Sequence, residues 1–168
     1  MFLKTTQKYL AIKNKFSIVN DRDVEVFFAE SFFKVRQNCS LFNLDGSLVY
    51  ELEAKILSLF GEYFIKDSSG RQVGRLKGKF HKPFVQKWRL ELEGKNYVLR
   101  SGGYHTKIYE ANDSFKYNKK TDRVGMIVKR ISKIRDTYEI DFDENRLSVA
   151  LATVCMIWMD CRFHSNQH

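Results

Sequence analysis

Eleven residues near the C-terminus, Val149-Ala-Leu-Ala-Thr-Val-Cys-Met-Ile-Trp-Met159, form an uncharged run bounded by Arg146 on one side and Asp160 and Arg162 on the other. As a helix this run is apolar at nearly every angular position, so it must be surrounded by lipid or by protein. A hydrocarbon slab of about 30 Å needs about 20 residues to cross it. The run is too short for that, so protein has to surround it. Asp143 reads as an N-cap, with Glu144 where the helix dipole favours an anion. The expected helix covers about 144–161, and a polar tail follows over 162–168. A helix of about 18 residues is roughly 27 Å long, close to a strand of about eight. A β-barrel with the helix on its axis is the economical arrangement, and small Ala150 and Ala152 ease the close passage.

The preceding chain supplies the barrel. From about 7 to 142 the apolar period is two, the mark of strands with one buried and one wet face. Leu48, Tyr50, Leu52, Ala54 and Ile56 alternate with Glu51, Glu53 and Lys55. Trp88, Leu90 and Leu92 alternate with Lys87, Arg89, Glu91 and Glu93; Tyr138, Ile140 and Phe142 with Thr137, Glu139 and Asp141. Val124, Met126 and Val128 are read as a buried set opposite Arg123 and Lys129. Turn signals punctuate the strands at Asn20-Asp-Arg-Asp23, Asp45-Gly46, Asp67-Ser-Ser-Gly70, Glu93-Gly94 and Asn112-Asp113. Each interval between successive turns has room for two strands. The reading is an antiparallel meander, closed because an open one leaves two exposed edges.

The length, 168 residues, fits one domain over 1–168. A load of 14 Phe, 8 Tyr and 2 Trp beside a single Pro suits strands. The N-terminal residues hold no apolar core of secretory-signal length. Cys39, Cys155 and Cys161 lack metal-site spacing and read as free thiols, so a cytoplasmic location is expected.

Gln7-Lys8-Tyr9, Leu41-Phe-Asn-Leu-Asp-Gly-Ser-Leu-Val-Tyr-Glu-Leu52, Lys55-Ile-Leu-Ser-Leu-Phe60 and Ile131-Ser-Lys-Ile-Arg-Asp-Thr-Tyr-Glu-Ile-Asp-Phe142 resemble the bacterial LURP-one-related (YxjI-type) family. The resemblance covers nearly the whole chain and rests on structural motifs. It implies the tubby C-terminal-like fold, a mainly β, twelve-stranded closed barrel around a buried C-terminal helix, shared with phospholipid scramblases. Two departures stand out. Asn20-Asp-Arg-Asp23 replaces the usual Asp-Gly, and Arg135 precedes Asp136 where Gly is common. The resemblance carries over no catalytic residue. Tubby domains bind phosphoinositide headgroups through basic surface residues, but their lipid-binding motif has no residue-by-residue match here.

Lys and Arg total 29 against 20 Asp and Glu, a net charge of +9 that favours polyanionic partners. The surplus is concentrated in two segments. One holds Arg71, Arg75, Lys77, Lys79, Lys82, Lys87 and Arg89 with no acid; the other holds Lys116, Lys119, Lys120, Arg123, Lys129, Arg130, Lys133 and Arg135 with Asp122 alone. An anionic membrane surface or lipid headgroup is the first functional reading, with peripheral attachment. A protein-interaction scaffold is the alternative, and nucleic-acid binding is third, since RNA recognition adds exposed aromatics. Phe80, Phe84, Tyr104 and Tyr117 could supply those, although core packing claims most such residues. The plain reading of both segments is a solvated, edge-protecting face.

Other constellations are weaker. Asp141, Asp143 and Glu144 are calcium candidates in an acid-rich stretch with Asp136 and Glu139, but they lack EF-hand spacing. Gly74-Arg-Leu-Lys-Gly78-Lys79 imitates a phosphate loop, yet it is one residue short and has Phe80 in place of Ser or Thr. Of His81, His105, His164 and His168, only the last two are spaced for one helix face, on a polar tail. With no nucleophile elbow and an axis filled by its own helix, the chain reads as a non-enzymatic domain without a cofactor.

Overall fold

The alternating residues form strands in a computed structural model of the chain, which describes residues 1–10, 13–33, 37–55, 61–82, 85–131 and 137–165. The strands are β1 (Phe2–Leu10), β2 (Lys13–Asn20), β3 (Glu25–Phe33), β4 (Gln37–Phe42), β5 (Leu48–Ala54) and β6 (Glu62–Lys66). They continue as β7 (Gln72–Lys82), β8 (Val85–Leu92), β9 (Lys95–Gly102), β10 (His105–Ala111), β11 (Arg123–Arg130) and β12 (Thr137–Phe142), followed by helix α1 (Val149–Ser165). Each strand pairs antiparallel with its chain neighbours, and β1 pairs with β12, so the sheet is a closed barrel of twelve strands. The polar turns foreseen between strand pairs all fall at one end of it, as a meander requires.

Closure lies at the start of the chain. Leu3 pairs with Ile140 and Lys4 with Glu139, the Met1 amino group donates to the Phe142 carbonyl at 2.7 Å, and the Tyr138 amide donates to Thr5 Oγ1 at 3.0 Å. The first strand therefore begins at Phe2 rather than near residue 7. Its inward Thr5 hides the alternation because it reads as a solvent residue.

The inner wall packs on the helix. Leu41, Leu52, Ile65, Leu90, Leu99, Ile127 and Ile140 are buried, as is every helix residue over 151–160. Each such aliphatic side chain contributes about 1.5–3 kcal/mol relative to exposure. Trp158 of α1 meets Trp88 of β8 edge-to-face at 4.9 Å, joining helix to wall. The glycines of the supposed phosphate loop make room for this packing. Gly78 is opposite Trp88, and a Cβ on Gly74 would come within 2.7 Å of the Leu92 side chain.

Two local expectations are corrected. Residues 143–147 form a turn, with Arg146 and Leu147 amides on the Asp143 carbonyl, and α1 starts at Val149 and runs to Ser165. Its cap is Ser148, whose hydroxyl accepts the Leu151 amide at 3.3 Å. The chain needs those residues to swing from the wall to the axis. Arg146 fixes the turn by reaching Glu110 Oε2 at 2.7 Å and the Thr121 carbonyl at 3.0 Å. In β11, Val124 is buried as expected, but Gly125, Ile127 and Lys129 point inward instead of Met126 and Val128. The cause is a bulge. Ile108 pairs with Gly125 and Tyr109 with Arg123, so Val124 is an extra residue that inverts the parity beyond it.

At Asn20-Asp-Arg-Asp23 no glycine is needed, because Asp23 itself takes the left-handed conformation, φ 56°. The Asn20 side chain braces the turn by accepting the Arg22 and Val24 amides at 3.0 Å. Arg135 lies outside the described residues.

Candidate anion-binding site

Because Trp88, Leu90 and Leu92 face the axis, Lys87 and Arg89 must face outward. The register then sets cation against cation. Lys77 is opposite Arg89, Lys79 opposite Lys87, Lys87 opposite Arg100 on β9, and Arg100 opposite Lys107 on β10. One transverse row thus reads Lys79, Lys87, Arg100, Lys107 over four adjacent strands, and it holds no acid before it reaches Met126 on β11. With strands about 4.8 Å apart, the row spans roughly 15 Å. Like charges placed directly opposite one another destabilise a sheet. Partial burial, reinforced by the charges of Arg89, Arg100 and Lys79, lowers the pKa of the Lys87 ammonium from its ordinary value.

The connection over 112–122 folds back onto this wall. Asn112 Oδ1 accepts the Ser114 and Lys116 amides at 3.0 Å, which turns the chain. Tyr117 then packs on Tyr109 at 4.6 Å, with the Lys87 ammonium 5.4 Å from its ring, and Phe115 lies 4.6 Å beneath the Arg89 guanidinium. The far end is held by Asp122, which accepts the Asn118 amide at 2.6 Å and the Thr121 hydroxyl at 2.8 Å. These bonds hold its carboxyl below the usual range. Wall and connection enclose a cleft of about 650 Å³ whose lining includes Arg100, Gly102, His105, Lys107, Tyr109 and Lys119. Guanidinium and ammonium groups converging on a pocket of this size suit a phosphate-bearing ligand, since Arg binds oxyanions bidentately and Lys adds point charge.

Lys87 of the first basic segment reaches the connection that carries the second, close to the Tyr117 ring, and Lys119 of the second lines the cleft. Lys77 and Arg89 flank the row, and Lys116 and Lys120 are exposed on the same connection. The others are engaged elsewhere. Arg71 pairs with Asp67 at 3.1 Å in the β6–β7 turn, and Arg75 pairs with the buried Glu62. Arg130 pairs with Glu139 at 3.0 Å. Lys129, expected on the outer face, is buried on the inner one, 5.7 Å from the Tyr138 ring centre. The side chain of Lys82, and Lys133 with Arg135, lie outside the described residues.

Arg123 stands beside Asp141 and Asp143 in a recess of about 280 Å³. Of the calcium candidates, Asp141 and Asp143 line this recess and Glu144 does not. Asp143 Oδ1 accepts the Asn145 amide at 3.0 Å, and Glu144 is exposed in the turn. Among the described residues, no group of three or more His, Cys, Asp or Glu is placed to hold a metal ion. Cys39 and Cys155 are buried, and burial pushes the Cys155 thiol up to about 12.

Arg100 and Lys107 carry no signal in the sequence, and His105 stands out there only as one of four scattered histidines. They are spread along β9 and β10 between Glu93 and Glu110, so the density of basic residues there is unremarkable. Only the register aligns them.

A family model described as LURP-one-related matches residues 1–160. The chain belongs to the LURP-one-related family. No curated protein and no solved structure matches it. Among the described residues of this LURP-one-related barrel, no helix is long and apolar enough to cross a membrane.

Proposed function

We propose that this LURP-one-related barrel is a non-enzymatic binding domain that docks peripherally on an anionic membrane surface, seating lipid phosphates at the cleft beside β9 and β10. The observation that carries the reading is the row Lys79–Lys87–Arg100–Lys107. Solubility calls for charges on a wall but gains nothing from setting four cations in register, so a counter-anion supplies the missing reason. Each basic residue near an anionic bilayer contributes about 1 kcal/mol, so these four with Lys119 suffice for reversible attachment. The resemblance to tubby C-terminal-like domains, with their basic headgroup-binding surfaces, points the same way. A cytoplasmic location, proposed with this reading, would bring the barrel to anionic leaflet lipid.

Sedimentation with phosphatidylserine-containing and neutral phosphatidylcholine vesicles, over a salt series and with duplex DNA as competitor, tests this. The expected result is binding to the anionic vesicles alone, weakening steeply with salt. Equal behaviour toward both vesicles overturns it. Displacement by DNA with the same salt slope favours nucleic acid instead, and a salt-insensitive stoichiometric protein complex favours a scaffold.

A further inference from the structure

Among the described residues, the barrel's two ends differ in what an anionic bilayer would meet. The end bearing the β2–β3, β4–β5 and β6–β7 turns and the 112–122 connection mixes acids, Asp21, Asp23, Asp45 and Asp113, with the cations Arg22, Arg71, Lys116 and Lys120. Two large exposed apolar residues, Val24 and Leu44, are set among those acids. At the opposite end Tyr104, in the β9–β10 turn, is 50% exposed and Ile131, just past β11, is 59% exposed. They share one tip, since the Lys129 amide donates to the Tyr104 carbonyl at 2.8 Å and His105 pairs with Val128. Gly103, at φ 57°, lets the turn reverse tightly and carry Tyr104 outward.

This tip adjoins the cationic cleft. Gly102 and His105, which line the cleft, stand within two residues of Tyr104, and Arg100 is three residues from Gly103, roughly 10 Å along the strand. The sequence holds no acid from Lys95 to Tyr109 or from Arg123 to Arg135. Exposed apolar residues scattered singly need no explanation. Here an aromatic and an aliphatic residue share a tip beside a cluster of positive charge, the combination that inserts into a headgroup layer while cations hold the phosphates.

We infer that Tyr104 and Ile131 enter the interface of the anionic bilayer, so that the barrel docks with its β9–β10 turn toward the membrane. The inference rests on the docking reading above and adds an orientation and a hydrophobic component to it. A free phosphate compound would engage the cleft without the tip, whereas a bilayer engages both.

Tyr104→Trp provides a reporter, because Trp88 and Trp158 are buried and give a constant background. On phosphatidylserine vesicles its emission should shift to the blue and be quenched by brominated acyl chains. The double variant Tyr104→Ser with Ile131→Ser should keep its low-salt binding and lose roughly tenfold at physiological salt, where charge attraction is screened. Unchanged thermal midpoints confirm intact folds. Emission that does not respond while the protein sediments with the vesicles, or a double variant with the wild-type salt curve, overturns the orientation and leaves electrostatic docking in place. A wild type that does not bind overturns both.

Discussion

Two transverse rows on the outer wall use the same strand geometry to opposite electrostatic ends. Across β2 to β6 the register reads Lys15, Glu30, Ser40, Glu51, Lys66, with cations and acids interleaved. Across β7 to β10 it reads Lys79, Lys87, Arg100, Lys107. The first row solvates the wall and gains from each opposite-charge neighbour. The second does the same solvation with like charges directly opposed, which destabilises the sheet. Within the second row no acid offsets those pairs. A pattern that costs stability and adds nothing to the fold is where a binding surface is to be sought.

The largest effect removes both rows together. Val154→Arg puts an unpaired charge in the packed axis at a cost of several kcal/mol, comparable to the total stability of a domain this size. Loss of the cooperative thermal transition is expected; a native-like soluble variant would mean that the helix is not central. Next comes Lys87→Glu combined with Lys107→Glu, which converts the cationic row into one that alternates in sign. Binding to anionic vesicles should fall by about a hundredfold, since two attractions become two repulsions, while the thermal midpoint holds or rises. If stability collapsed as well, the row would be part of the wall's support and the contrast between the rows would vanish.

A smaller effect concerns Arg75, the cation of β7 that has its own acid. Burial would raise the Glu62 carboxyl, but hydrogen bonds from Lys55 at 3.1 Å and from Arg75 outweigh it and hold the group below its ordinary 4.5. A carboxyl lowered by folding stabilises the fold above its unfolded pKa, and the contribution drains away as pH falls through the folded value. The stability gap between wild type and Glu62→Gln, measured by urea unfolding, should therefore be wide at neutral pH and narrow in acid. A gap independent of pH would mean that the carboxylate charge is not what Arg75 and Lys55 hold.

Much of the architecture was legible in the sequence because each part depends on local periodicity. Trp88-Leu90-Leu92 and Tyr138-Ile140-Phe142 showed their inward faces by alternation alone. Polar turns at regular intervals marked the strand pairs, and an uncharged run too short for a bilayer required a protein sheath. Where periodicity is weak the reading failed. The run Val124-Gly-Met-Ile-Val128 is apolar on both faces, so nothing local revealed the bulge that turns Lys129 inward. Asp143 looks like a helix cap as well as Ser148 does, but in the fold Asp143 opens a turn and Ser148 caps the helix.

The sequence by itself determined that this chain closes a β-wall around its own helix, because burial of apolar surface follows the order of residues along the chain. Tertiary structure alone decided what the surplus positive charge amounts to. Lys87, Arg100, Lys107 and Lys119 are far apart in sequence, and they become neighbours only through strand register and the fold-back of 112–122. Electrostatic interaction depends on distance in space, and charge counted along a chain carries no information about that distance.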